Sequence, residues 1–237
     1  MRKLIWLEWK KNRTGRYVRN AFVLATLLAL LVYGMAFLGI ADDPVTGTLD
    51  MAPGMSGISA VVEFLTNSVS FVFTGVMLAA FVVSAYKNGT MALMFSYPIG
   101  RRKLFSAQLL AVWIFNFGTL VLTKLFLYGC LELGKRFHET SSFQLDFQMG
   151  SLSFYSALFL SSALVVTIGF LALFVGLFTK SSKATVIASF LVVFLIQGSL
   201  GEISLAGNYG FRLVLAFLAL ILMAESVVMV EKRDMLS

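Results

Sequence analysis

Reactive side chains are scarce in this chain: one histidine, one cysteine, three prolines and a charged fraction of 13% in 237 residues. A lone imidazole cannot assemble a typical zinc site, and a Ser/His dyad would have only that base to draw on. His138 stands beside Glu139 and reads as a solvated loop residue. Cys130 has no intrachain disulfide partner and reads as a buried, inert thiol. Gly176-Leu-Phe-Thr-Lys180-Ser181 has the lysine and serine of a phosphate loop, but Thr179 stands where its second glycine would be. No catalytic residue, metal ligand or cofactor is therefore expected in this chain. Nucleic acid is not an expected partner either. The net charge of +7 comes from basic residues flanking apolar runs, without a patch of interleaved aromatics.

Apolar residues are what the chain has in excess. They make up 59% of it, with 23 Phe, too much for a soluble globule of this length to hide from water. A hydrocarbon core of about 30 Å takes roughly 20 apolar residues per helical crossing, and a spanning backbone must satisfy its own hydrogen bonds. The expected fold is all-α and integral to the membrane. It forms a single transmembrane domain over residues 1–237, with an interfacial helix over 3–19 and spans over 21–41, 64–86, 104–131, 154–178, 184–201 and 212–230. The first run is longer than a signal-peptide core and ends Gly39-Ile40-Ala41-Asp42-Asp43 without a small-x-small site, so it is expected to stay attached.

Orientation follows from lysine and arginine. Seven precede the first span, four lie in Lys87 to Lys103, and pairs fall at Lys180 and Lys183 and at Lys232 and Arg233, all on one side. Lys124, Lys135, Arg136 and Arg212 fall at or toward the other side, with Asp42, Asp43, Asp50, Glu63, Glu139, Asp146 and Glu202. Both termini are thus expected in the cytoplasm of a multi-pass plasma-membrane protein. The outer loop Asp42 to Glu63 is too short to fold as a domain. Ala80 and Ser84, Ala107 and Ala111, Ala172 and Gly176, and Ala184 and Ala188 are small-xxx-small pairs that would let helices approach closely.

Two segments do more than set topology. Leu4 to Arg13 mixes apolar and basic residues, with Ile5, Trp6 and Trp9 sharing a face with Arg2 and Arg13 while Leu4 and Leu7 point elsewhere, as for a helix lying in the interface. In the loop Tyr86 to Lys103, Asn88 or Thr90 can cap a short helix that Pro98 stops at Tyr97. Met91, Met94 and Phe95 then fall on one side, and Leu93 and Tyr97 on another. A topology loop needs no such apolar content.

The stretch Tyr86-Lys-Asn-Gly-Thr90, a spacer, and Tyr97-Pro-Ile-Gly-Arg-Arg-Lys103 resembles the first cytoplasmic loop of ABC-2 type transporter permeases. The amino-terminal helix and six spans extend the resemblance over the whole chain. It implies that Asn88, Gly89, Thr90, Met91, Leu93, Met94, Phe95, Tyr97, Pro98 and Arg101 form a coupling helix docking a separate cytoplasmic ABC ATPase, which holds the ATP and Mg. Two features depart from the family. Ser84 and Ala85 occupy the region where members often carry a glutamate, and the Glu202 to Gly210 link leaves little room for outer re-entrant helices. The resemblance implies a bacterial permease homodimer with two ATPases, a heterodimer being the alternative. It is closest to small permeases that export, or protect against, antimicrobial and amphipathic peptides such as bacteriocins or cytolytic peptides. The alternatives are an ABC-2 exporter of lipids, drugs or ions, and a non-transporting membrane anchor or immunity protein.

Two charges interrupt the spans. Lys124 is expected to snorkel outward. Glu225, past the midplane of the last span, faces either a substrate path between two permeases or the inner interface near Lys232.

Overall fold

The computed structural model of the chain describes residues 2–12, 14–38, 57–87, 101–137, 149–200, 203–204 and 208–233. It is helical apart from one short ladder. In order come α1 (Arg2–Lys11), α2 (Gly15–Phe37), α3 (Ile58–Leu78), a π-helical turn (Ala79–Val83), α4 (Ser84–Lys87), α5 (Arg101–Phe137), α6 (Leu152–Gly169), α7 (Leu171–Thr179), α8 (Ser182–Gln197) and α9 (Tyr209–Arg233). Between the last two helices β1 (Ser199–Leu200) pairs antiparallel with β2 (Ile203–Ser204), Ser199 opposite Ser204.

Five segments of the described residues are long and apolar enough to cross a membrane: Gly15–Phe37, Ile58–Val83, Lys103–Arg136, Leu152–Thr179 and Tyr209–Val228. The expected fifth span, 184–201, corresponds to α8, which has 16 residues and so reaches roughly 24 Å. It ends at Gly198, where the chain turns extended into the ladder, so residues 199–200 are strand where helix was expected.

Other boundaries also differ from the apolar runs. The expected interfacial helix 3–19 is two pieces. A turn in which the Thr14 hydroxyl donates to the Trp9 carbonyl (2.7 Å) separates α1 from α2, so Arg16 and Arg19 belong to the spanning helix. Helix α3 begins at Ile58, taking Glu63 out of the expected outer loop. The expected fourth span is broken at Phe170, whose N–H bonds to the Thr167 carbonyl in a tightened turn. There the missing side chain of Gly169 lets Thr74 of α3 approach closely, a Cβ lying 3.2 Å from its methyl group.

Helix α3 is the hub. Two thirds of its spanning stretch is buried (67%), against 22% for α2 at the rim. Phe71, Met77 and Leu78 of α3 join Leu109 of α5, Val165 of α6, Leu173 of α7 and Ile196 of α8 in the larger core cluster. A second cluster, toward the end carrying Ile58, joins Val32 of α2, Val62 of α3, Tyr128 of α5 and Leu158 of α6. Gly75 and Gly176 bring α3 and α7 against α8, since a Cβ on either would overlap the side chain of Ser189 or Thr185. Of the small-residue pairs, Ala107 and Ala111 are fully buried, as are Ala172 and Gly176, whereas Ala80 is exposed. Large apolar side chains such as Phe22, Leu30, Phe194 and Phe217 stay exposed around the perimeter, a surface that suits lipid.

Candidate functional site

The expected coupling residues Asn88, Gly89, Thr90, Met91, Leu93, Met94, Phe95, Tyr97 and Pro98 lie outside the described residues, as does His138. Arg101 is the first residue of α5. Gly176 to Ser181 spans the last turn of α7 and the two-residue link to α8, with Lys180 in the left-handed region at φ 51° and the Ser181 hydroxyl capping α8.

Helix α1 is docked on α5, the helix that follows the segment expected to form a coupling helix. The Trp9 indole N–H donates to the Ala111 carbonyl (3.1 Å), and Gln108 donates to a Glu8 carboxylate oxygen (3.4 Å). Glu8 is buried at 4% exposure and also accepts from Asn12 at 3.3 Å, with Lys11 3.8 Å away. The docked face thus runs through Ile5, Glu8, Trp9 and Asn12, at helical spacing. Trp6 and Leu7 face outward, with Lys10 over the Trp6 ring. The expected common face of Trp6 and Trp9 is therefore split: the bundle takes Trp9, and the surface keeps Trp6. A single acid within a basic segment was the available signal, because Glu8 falls three residues after Ile5 on the side that is buried.

Deeper along α5, Lys124 is fully buried, so it does not snorkel. Its ammonium lies 2.7 Å from a carboxylate oxygen of Glu63. The same oxygen accepts from Asn67 (3.1 Å) and from the Ser161 hydroxyl (3.1 Å), and Lys124 also donates to Ser161 (3.1 Å). Three spanning helices, α3, α5 and α6, are tied at one level. Arg212 of α9 is buried close enough to interact electrostatically with both charges, and its Nε has no partner among the described residues.

Glu63 therefore belongs to a buried cluster and not to the expected outer loop, and no apolar run marks that cluster. The signal was in α3 itself. Ser59, Glu63, Thr66, Asn67, Ser70 and Thr74 recur at helical spacing and are all buried, so the helix carries a polar stripe facing inward. A charge inside a span has to be paired to persist, and the dry interior strengthens the attraction between partners. The pair can hold three helices together or release them as a unit. Among the described residues there is no group of His, Cys, Asp or Glu able to hold a metal ion.

Glu225 sits about 16 residues, or roughly 24 Å, along α9 from Tyr209. It is exposed on the face turned away from the bundle interior, while the next residue, Ser226, is buried.

Fold and buried polar cluster together define a multi-pass helical membrane protein. No family model matches the chain, and no solved structure matches it significantly. It is similar to the uncharacterized protein YcbO of Bacillus subtilis (strain 168), 26% identical over 237 residues that cover 98% of this chain and 99% of the relative.

Proposed function

We propose that this chain is the permease subunit of an ABC-2 type exporter, moving a hydrophobic or amphipathic peptide out of a bacterial cell by using a separate cytoplasmic ATPase. The observation that carries the reading is the docking of α1 on the first turns of α5 through Trp9 and Glu8. Helix α5 starts directly after the loop that resembles a coupling helix, so a push on that loop would move α5 and α1 as one body. About 16 residues further along α5, roughly 24 Å away, Lys124 would carry the displacement to Glu63 and α3. The absence of a phosphate loop in the sequence calls for an external motor.

In this reading α8 is the fifth of six spans. At 16 residues it crosses where the bilayer thins locally, folded back on α7 and packed on α3. An even count keeps both termini in the cytoplasm. Two copies enclose the path, with two ATPases beneath them. The match to a Bacillus protein over nearly the whole of both chains supports a bacterial origin.

Co-purification with candidate ABC ATPases, followed by ATP turnover in lipid with and without candidate peptides, tests the proposal. Stimulated turnover is expected, and Leu93→Asp with Tyr97→Asp should dissociate the complex while the permease stays inserted. A bound ATPase with no substrate response would indicate a membrane anchor. A chain that binds peptide and no ATPase would indicate an immunity protein.

A further inference from the structure

A basic hollow and an apolar groove follow one another along α2. The hollow, open and about 700 Å³, is lined by Trp6, Trp9 and Lys10 of α1, Thr14 in the turn, and Gly15 and Arg16 at the start of α2. The groove, about 520 Å³, begins two residues further on at Val18 and runs between α2 and α5 past Phe22, Ile114, Leu122 and Phe126. Those five side chains are all exposed, so the groove opens to the lipid side. Trp9 joins the two parts. It lines the hollow while its N–H bonds to the Ala111 carbonyl, three residues before Ile114.

Charge is confined to the hollow. Lys10 and Arg16 are both exposed and have no ion-pair partner among the described residues. Glu8 is the one acid before Asp42, and it is buried against Gln108 of α5, leaving the outward face of α1 to Lys3, Trp6, Leu7 and Lys10. Trp6 is 58% exposed with the Lys10 ammonium over its ring, a pairing suited to the headgroup level of a membrane. No ionisable side chain lines the groove. From Ile114 to Phe126 it extends roughly 18 Å along α5. That is close to the depth of one leaflet's hydrocarbon, about 15 Å.

We propose that α1, α2 and α5 form a binding site for an anionic phospholipid, whose phosphate-bearing headgroup sits in the hollow between Lys10 and Arg16 and one of whose acyl chains lies in the groove. Charge complementarity selects the occupant. Two cations without a counter-charge favour a headgroup of net negative charge over a zwitterionic one, whose ammonium they repel. Continuity selects a lipid over a soluble anion, which would leave the apolar groove below the hollow unfilled. The site stands apart from the export reading and needs no ATPase.

The test uses the full chain in phosphatidylcholine nanodiscs with a trace of photoreactive lipid, either phosphatidylglycerol carrying a diazirine in one acyl chain or phosphatidylcholine carrying the same chain. Phosphatidylglycerol should label the groove residues about tenfold more, since each cation at a membrane surface favours an anionic lipid roughly fivefold and salt screens part of that. Lys10→Gln with Arg16→Gln should bring the ratio to about one while keeping the phosphatidylcholine labelling. Lys180→Gln with Lys183→Gln, at the α7–α8 link, should leave the ratio as it is in the native chain. Gly118→Leu should reduce labelling by both lipids, because Gly118 lines the groove and has open space at its Cβ, so a leucine fills the site without a clash inside the chain. Equal labelling by the two lipids in the native chain would overturn the proposal, leaving the groove to ordinary acyl chains. An equal fall of the ratio in the two lysine and arginine variants would overturn it as well, since the preference would then belong to the basic surface as a whole. Competition by inorganic phosphate would overturn the lipid assignment and make the hollow a site for a soluble anion.

Discussion

The ammonium of Lys124 and the carboxylate of Glu63, 61 positions apart in the chain, meet at 2.7 Å inside the helix bundle. Lys124 is fully buried and Glu63 nearly so, and Ser161 bonds to both. Desolvating two charges costs several kcal/mol each, so the pair contributes little net stability and much conformational definition. Any rearrangement that separates α3 from α5 must also supply water or a new partner to both groups.

Lys124→Met should therefore destabilise the protein by about 3–5 kcal/mol, because it leaves Glu63 buried with only Asn67 and Ser161 as donors. Lys124→Met combined with Glu63→Leu should recover most of that loss. Thermal unfolding of the native, single and double variants in one detergent measures the coupling. Additive losses would show that the two side chains do not form a unit.

Removing the indole donor should loosen α1. Trp9→Phe deletes one hydrogen bond, about 1 kcal/mol, whereas Trp9→Ala also deletes the packing. Limited trypsin digestion after Lys10 or Lys11 follows the release. Faster cleavage is expected in the order native, Phe, Ala, and unchanged cleavage in the alanine variant would refute the docking.

Glycines of the spanning helices should divide by what surrounds them. Gly75→Ala and Gly176→Ala drive a Cβ into Ser189 and Thr185 of α8, an overpacking that costs about 1–3 kcal/mol. Gly129→Ala meets nothing within 4 Å and should be neutral or stabilising by up to about 1 kcal/mol. Melting temperatures of the three variants give the comparison directly.

Lys180 is the one described non-glycine residue with positive φ, at the point where α7 turns into α8. Lys180→Gly should raise stability by about 1 kcal/mol, since glycine enters the left-handed region without the Cβ penalty. A lower melting temperature would mean that the lysine side chain makes a compensating contact.

Glu225→Gln should leave abundance and melting temperature unchanged, within about 0.5 kcal/mol, because the side chain is exposed and has no partner among the described residues. With folding intact, a loss of transport of cationic peptides is expected if two copies enclose a path at this face. Full transport across several such peptides would remove Glu225 from the functional residues.

Local sequence determined that the chain is helical and membrane-embedded, and nearly where each span lies. Runs such as Phe64 to Tyr86 leave the backbone no other way to satisfy itself in lipid. Helix ends were less legible, since a helix continues past its apolar run wherever flanking side chains can reach water or a partner. Gly15 to Asn20 and Ile58 to Glu63 both belong to helices for that reason. Spacing along α3 also held the polar stripe from Ser59 to Thr74, although a stripe does not say which neighbour it faces. Tertiary structure alone decided that Lys124 finds Glu63, that Trp9 turns inward while Trp6 does not, and that the buried Asn116 amide oxygen has no partner among the described residues. Each depends on which helices become neighbours. That choice is made by shape, where Gly75, Gly169 and Gly176 let backbones close together. Hydrophobicity cannot make it in lipid, because every span is equally apolar to its surroundings.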